Sequence, residues 1–153
     1  MRWDQGREVV EALIAEKRID QVHPSRNAAD RLLDEARAHL RSAAQIADSD
    51  AVGAYALVYD AARKALAAVL ENEGLRATSR GGHIAVFEAV RAQLDPPLGG
   101  TLVPFDRMRR RRNAIEYSPE GSVVADDVRE DAVKVQAIVD TAAQVLDQMS
   151  PYR

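Results

Sequence analysis

The chain has no cysteine, which excludes disulfide staples and thiolate metal sites alike. Aromatic residues are scarce, with 1 Trp, 4 Tyr and 2 Phe in 153 residues. That disfavours a sheet stabilised by aromatic and β-branched cross-strand pairs. The 3 histidines, His23, His39 and His83, show neither HxxxH nor HExxH spacing, so no zinc site is expected. No apolar run approaches the ~20 residues needed to span a bilayer. The opening Met1–Gly6 stretch lacks the apolar segment of a secretory signal. The expectation is a soluble, cytoplasmic protein with no membrane association. Catalytic signatures are also sparse. Gly81-Gly82 is not followed by the lysine and hydroxyl residue of a phosphate-binding loop, and there is no GxSxG motif. Neither a metal nor a cofactor is expected.

What is present is alanine-rich helical patterning, 46% hydrophobic and 29% charged, in a chain long enough for one core. A first helix is predicted from Trp3 to about Ile19, with Val9, Val10, Leu13 and Ile14 on its apolar face. Ser25 suits the cap of a second helix running to about Asp48, whose stripe is Ala29, Leu32, Leu33, Ala36, Leu40, Ala43 and Ala47. Asp50 suits the cap of a third, about Ala51 to Asn72, closed by Gly74. Tyr55, Val58, Ala62, Ala65, Leu66, Val69 and Leu70 mark its buried face. Leu75–Arg80 reads as a polar link, and a fourth helix should cover His83 to Leu94. Asp95–Gly100, with its two prolines and two glycines, reads as a loop. An arginine-rich helix follows from about Thr101 to Tyr117, then a break at Ser118–Ser122. The last helix, about Ala125 to Met149, has the clearest stripe: Ala132, Val135, Val139, Ala142 and Leu146. Its early carboxylates, Asp126-Asp127 and Glu130-Asp131, are expected to favour the positive helix end. The fold class is therefore all-α, an up-and-down bundle of five to six helices. One domain covers 1–153, its core about 26–147, with residues 1–20 an added N-terminal helix.

Five of the six residues from Arg107 to Arg112 are arginine, although the net charge is −3. On a helix Phe105, Met108, Arg112 and Ile115 share one stripe. Arg112 should lean towards the core or an interface, where a guanidinium needs an anionic partner. Glu116, one turn on, is the nearest one in the chain. Arg107, Arg110 and Arg111 should spread outwards, and with Arg109 they form a candidate nucleic-acid-binding set. The bland alternative is a solvated basic face or a set of intrachain salt bridges. Against it stands the Arg112-Asn113 pair, a fork donor beside a neutral amide, which suits a phosphodiester.

Two stretches carry a family resemblance. Tyr55-Ala-Leu-Val-Tyr59-Asp60-Ala-Ala-Arg63-Lys64-Ala-Leu, followed by Glu73-Gly74-Leu75-Arg76 and Gly81-Gly82-His83, resembles the central helix and turn of HEPN domains. Arg112-Asn113 near a helix end resembles the motif of that superfamily: arginine, a polar residue, a few residues, then histidine. The resemblance covers about Arg26 to Asp147 and is closest to a bacterial subgroup ending in Arg-Asn-x-x-Glu-Tyr. It implies a HEPN-like helical bundle that forms a homodimer, bringing two arginine motifs into one cleft. It also implies RNA binding, with metal-independent ribonuclease activity of a toxin–antitoxin or defence system. A small nucleotidyltransferase or antitoxin is the implied partner. Arg112, Asn113, Glu116 and Tyr117 would then be the catalytic set.

The departure lies at Tyr117, which stands where such domains carry histidine. Tyrosine, with an ordinary pKa near 10, is a poor general base at neutral pH. Glu116 is the substitute, although pairing with Arg112 would lower its basicity. His83 is the only other imidazole near a matched motif, and its plainer role is that of a polar residue at a helix start. The alternative function is a non-catalytic interaction module that docks a partner protein through the basic helix.

Overall fold

The computed structural model describes residues 3–119 and 121–153; Met1, Arg2 and Glu120 of the predicted break lie outside the described residues. Seven helical segments among the described residues carry the fold: α1 (Arg7–Ala15), α2 (Arg26–Ile46), α3 (Ala51–Glu73), α4 (Gly82–Leu94), α5 (Gly99–Leu102), α6 (Pro104–Tyr117) and α7 (Ala125–Val145). Two three-residue strands, β1 (Ile19–Gln21) and β2 (Leu75–Ala77), pair antiparallel with Ile19 opposite Ala77. The protein is thus mostly helical, as the patterning predicts.

Local chemistry sets the helix ends. Ser25 Oγ accepts from Ala28 N–H at 3.0 Å, and Asp50 Oδ1 accepts from Gly53 N–H at 2.9 Å. Each cap satisfies a backbone donor that the helix itself leaves unpaired. At the end of α3, Gly74 takes φ 88°, and its N–H returns to the carbonyls of Leu70 and Glu71. That left-handed turn feeds β2 directly.

α3 is the central element. Tyr55, Val58, Ala62, Ala65, Leu66, Val69 and Leu70 are all buried on it. It packs most extensively against α2, then against α7, and also meets α4 and α6. Alanines at 29, 36, 43 and 47 on α2 and just beyond it, and at 54, 61, 62, 65 and 68 on α3, are almost fully buried. Small side chains at such contacts let helix axes approach closely, while Leu and Val fill the space between them.

Four predictions need correction. α1 stops at Ala15, and Ile19–Gln21 forms a strand rather than a helix end. Leu75–Ala77 is its partner strand, not a polar link. Val9 is exposed although placed on the apolar face, because Val10 and Leu13 suffice to seat the short helix. Asp95–Gly100 is not wholly loop, since Gly99 opens the single turn of α5 and the arginine helix begins at Pro104. Pro104 suits that start because its missing N–H lies where no helical partner exists.

Candidate functional site

The site is built on two tyrosines one turn apart on α3, with α6 laid across them. Phe105 and Met108 of α6 are fully buried. Phe105 stacks on Tyr59 at 5.4 Å and on Phe87 of α4 at 5.5 Å between ring centroids. This three-ring ladder fixes the rotation of α6 and so decides where each arginine goes.

Arg107 does not spread outwards. Its Nη2 donates to Asp131 Oδ1 of α7 at 2.7 Å, and Tyr55 Oη donates to Asp131 Oδ2 at 2.7 Å. The Asp131 side chain is 3% exposed, so this carboxylate is an internal acceptor rather than a helix-end charge. Burial pushes its pKa up, but the hydrogen bonds from Arg107 and Tyr55 outweigh that and hold it below the usual carboxylate range. Arg111 is also committed. It pairs with Asp127 at 2.8 Å and lies 5.6 Å from the Tyr55 ring centroid. Asp127 additionally accepts from Val124 N–H, capping α7. Arg109 and Arg110 pair with Asp106 at 3.0 and 3.4 Å, and of the five arginines Arg110 is the most exposed. These pairs are intrachain salt bridges, the bland alternative for most of the run.

Arg112 is half-buried. Its guanidinium lies 5.5 Å from the Tyr59 ring centroid and 3.3 Å from Glu116 Oε1. Tyr59 in turn contacts His83 at the first turn of α4, with Oη 2.6 Å from Nδ1. Tyr59, Asp60, His83 and Arg112 line a cleft of about 330 Å³. Its floor is completed by Gly53, Ala56 and Leu57 of α3. Asn113 follows Arg112 half-buried, while Tyr117 is 78% exposed at the helix exit. The structure therefore brings Arg112 together with Glu116, Tyr59 and His83, and leaves Tyr117 outside the cleft.

The protonation states follow from burial and charge. Burial pushes the Tyr59 hydroxyl up to about 12, against the lowering influence of Arg112, Arg109 and Arg63. It is thus a protonated phenol at neutral pH, able both to donate and to accept. Burial lowers His83 below its ordinary 6.5, and the nearby charges of Arg63 and Arg112 lower it further. The Tyr59 hydroxyl can donate to Nδ1 or accept from it, so this contact engages one nitrogen of a neutral His83 and leaves Nε2 to take the complementary role. Asp60 is occupied on its other side: it pairs with Arg63 at 2.7 Å and Lys64 at 3.5 Å, and lies 3.3 Å from His39. The cleft thus brings a guanidinium and an imidazole to one cavity.

His83 stands in the first turn of α4, as the Gly-Gly-His turn predicts, but its contact with Tyr59 depends on how α4 docks on α3, which no local pattern encodes. Among the described residues, no group of three or more His, Asp or Glu side chains is placed to hold a metal ion. No helix among them is long and apolar enough to cross a membrane. No protein-family model matches the chain, no curated protein matches it, and no solved structure matches it.

Proposed function

We propose that this chain is a HEPN-type RNA-binding domain that takes a phosphodiester in the cleft of Tyr59, His83 and Arg112. The observation that carries the proposal is the convergence of the half-buried Arg112 guanidinium and the His83 imidazole on one cavity. A planar guanidinium beside an imidazole, which donates to an anion in its Nε2–H tautomer, suits a singly charged phosphodiester. The resemblance of Tyr55–His83 and of Arg112-Asn113 to HEPN domains supports the same placement, with Asn113 set to position the phosphate. It also supports a helical bundle that pairs as a homodimer across the Arg112 face.

Cleavage, in this reading, would need the 2′-hydroxyl to attack the adjacent phosphorus, expel the 5′-oxygen and leave a cyclic phosphate. Arg112 would stabilise the added negative charge. Proton removal is the weak half: Glu116 is tied to Arg112, Tyr117 is exposed, and His83 has one ring nitrogen engaged with Tyr59. We therefore assign binding as the main activity and slow, metal-independent cleavage as the most that this set supports.

A second reading is favoured by one specific observation. Every arginine from Arg107 to Arg112 has a carboxylate within reach, which leaves little uncommitted charge for a polyanion. That suits a non-catalytic module docking a partner such as a nucleotidyltransferase or antitoxin. Incubation with total RNA in EDTA, beside a filter-binding titration against salt, separates the two. Binding with a negative salt slope, weakened about tenfold or more in Arg112→Ala and also in Arg112→Lys, supports the phosphate site. Unchanged RNA affinity in both variants refutes it.

A further inference from the structure

Behind the phosphate cleft lies a second cavity, of about 390 Å³, between α2, α3, β2 and the start of α4. Its size falls within the range typical of small-molecule sites. Leu70, Leu75 and Val86 give it an apolar floor. Its rim is polar: Arg63, Arg76 and Glu71 all reach it. Glu71 is nearly buried and accepts two hydrogen bonds from Arg76, at 2.6 and 3.2 Å, which leave further lone pairs on both oxygens. The two cavities are joined through side chains. His83 lines both, and Arg63 of the second cavity is bonded to Asp60 of the first.

We propose that this second cavity is a nucleobase pocket, taking the unstacked base next to the phosphate held by Arg112 and His83. The inference rests on the RNA reading above and extends it to recognition of the base. A base has two apolar faces and an edge of alternating donors and acceptors. The leucine and valine floor meets a face, and the Glu71–Arg76 pair supplies an acceptor and a donor to the edge. Single-stranded RNA is commonly recognised in this way, with bases splayed out of the stack and read at their edges. The shared imidazole of His83 sets the separation, because it lines both cavities.

The test has two arms. In the first, a short single-stranded RNA and an abasic ribose-phosphate strand of equal length are titrated against the wild type, Ala67→Phe and Arg112→Ala. Ala67 lines the second cavity and is only half-buried, so phenylalanine there fills the space. The intact strand should bind about tenfold more tightly than the abasic one. Ala67→Phe should bring it down to the abasic level, leaving abasic affinity unchanged. In the second arm, the four ribonucleosides, which carry no phosphate, are added while the methyl resonances of Leu75 and Val86 are followed by NMR. At least one nucleoside should shift them, and Ala67→Phe should abolish the shift. Should Ala67→Phe fail to fold by circular dichroism, Arg76→Ala, at an exposed rim position, must weaken the same shift. Equal, Arg112-dependent binding of both strands, with no nucleoside shift, would overturn the pocket and leave the phosphate site standing. Nucleoside binding without any RNA binding would keep the pocket and remove the phosphate reading. Shifts from octanoate but from no nucleoside would reassign the cavity to an aliphatic acid and overturn the proposal.

Discussion

Glu73, in the last turn of α3, is 1% exposed, and its Oε1 has no hydrogen-bond partner among the described residues. Burial raises its pKa from 4.5 to about 8, and the side-chain amide of Gln93 acts in the opposite direction by favouring the charged form. At neutral pH the folded protein therefore holds a neutral carboxylic acid, whereas the unfolded chain carries a carboxylate. The sign follows directly. The stability contribution of the neutral acid is fully present below the unfolded pKa of 4.5 and is lost as pH rises through about 8. One proton taken up on folding makes stability fall by about 1.4 kcal/mol for each pH step of one, so the loss between about pH 5 and pH 8 is roughly 4 kcal/mol, slightly less because the slope levels off near pH 8. Glu73→Gln keeps the shape and removes the proton, so its stability should lack this slope. Urea unfolding of both proteins at intervals across that range checks it, because every other titrating group cancels in the difference. Parallel pH profiles would refute the reasoning and mean that water or a rearranged partner solvates the Glu73 anion.

Asp131→Ala leaves Arg107 and the Tyr55 hydroxyl without their shared acceptor, and should cost about 2–3 kcal/mol by chemical denaturation, the partial exposure of Arg107 keeping it below the fully buried case. Because the folded pKa of Asp131 is lowered, its contribution is present above the ordinary 3.8 and is lost as pH falls through the folded value, so Asp131→Asn and wild type should converge in acid. Gly74→Ala should cost about 2 kcal/mol in the same assay, because a Cβ at φ 88° is strained and would meet the Val22 carbonyl at 2.7 Å. Light scattering at tens of micromolar should show a dimer that Arg112→Glu weakens; a strict monomer would remove any shared cleft.

The long helices were legible because their signals are local and repeated. Twenty or so residues with one apolar stripe and a capping serine or aspartate leave few alternatives, as α2 and α3 show. The strands were not, because three residues contain no period. Ile19-Asp20-Gln21 continues the helical pattern of α1 well enough to hide the break, and only pairing with Leu75–Ala77 makes it a strand. The carboxylate partners of the arginines divide the same way. Asp106 and Glu116 lie within one turn on α6 and could be read from spacing. Asp127 and Asp131 are set by the register of α7 against α6, which no spacing in the chain encodes.

That register decides what the arginine run is for. Arg107 and Arg111, one turn apart, face α7 and close on Asp131 and Asp127, themselves one turn apart. Together with the Tyr55 hydroxyl they form a polar seam beside the apolar seam of Phe105 and Met108. The seam holds α6 at a fixed rotation, and the next turn then carries Arg112 over the Tyr59 ring. Much of the local positive charge is thus spent on positioning the remaining guanidinium. Neutralising Arg107 should accordingly act on stability first and on the proposed phosphodiester binding only through a displaced α6. Arg112→Lys keeps the charge but loses the planar fork, and should act on the proposed phosphodiester binding alone. The two substitutions change the same type of residue, five positions apart on one helix. Their opposite signatures follow from which neighbour each side chain meets.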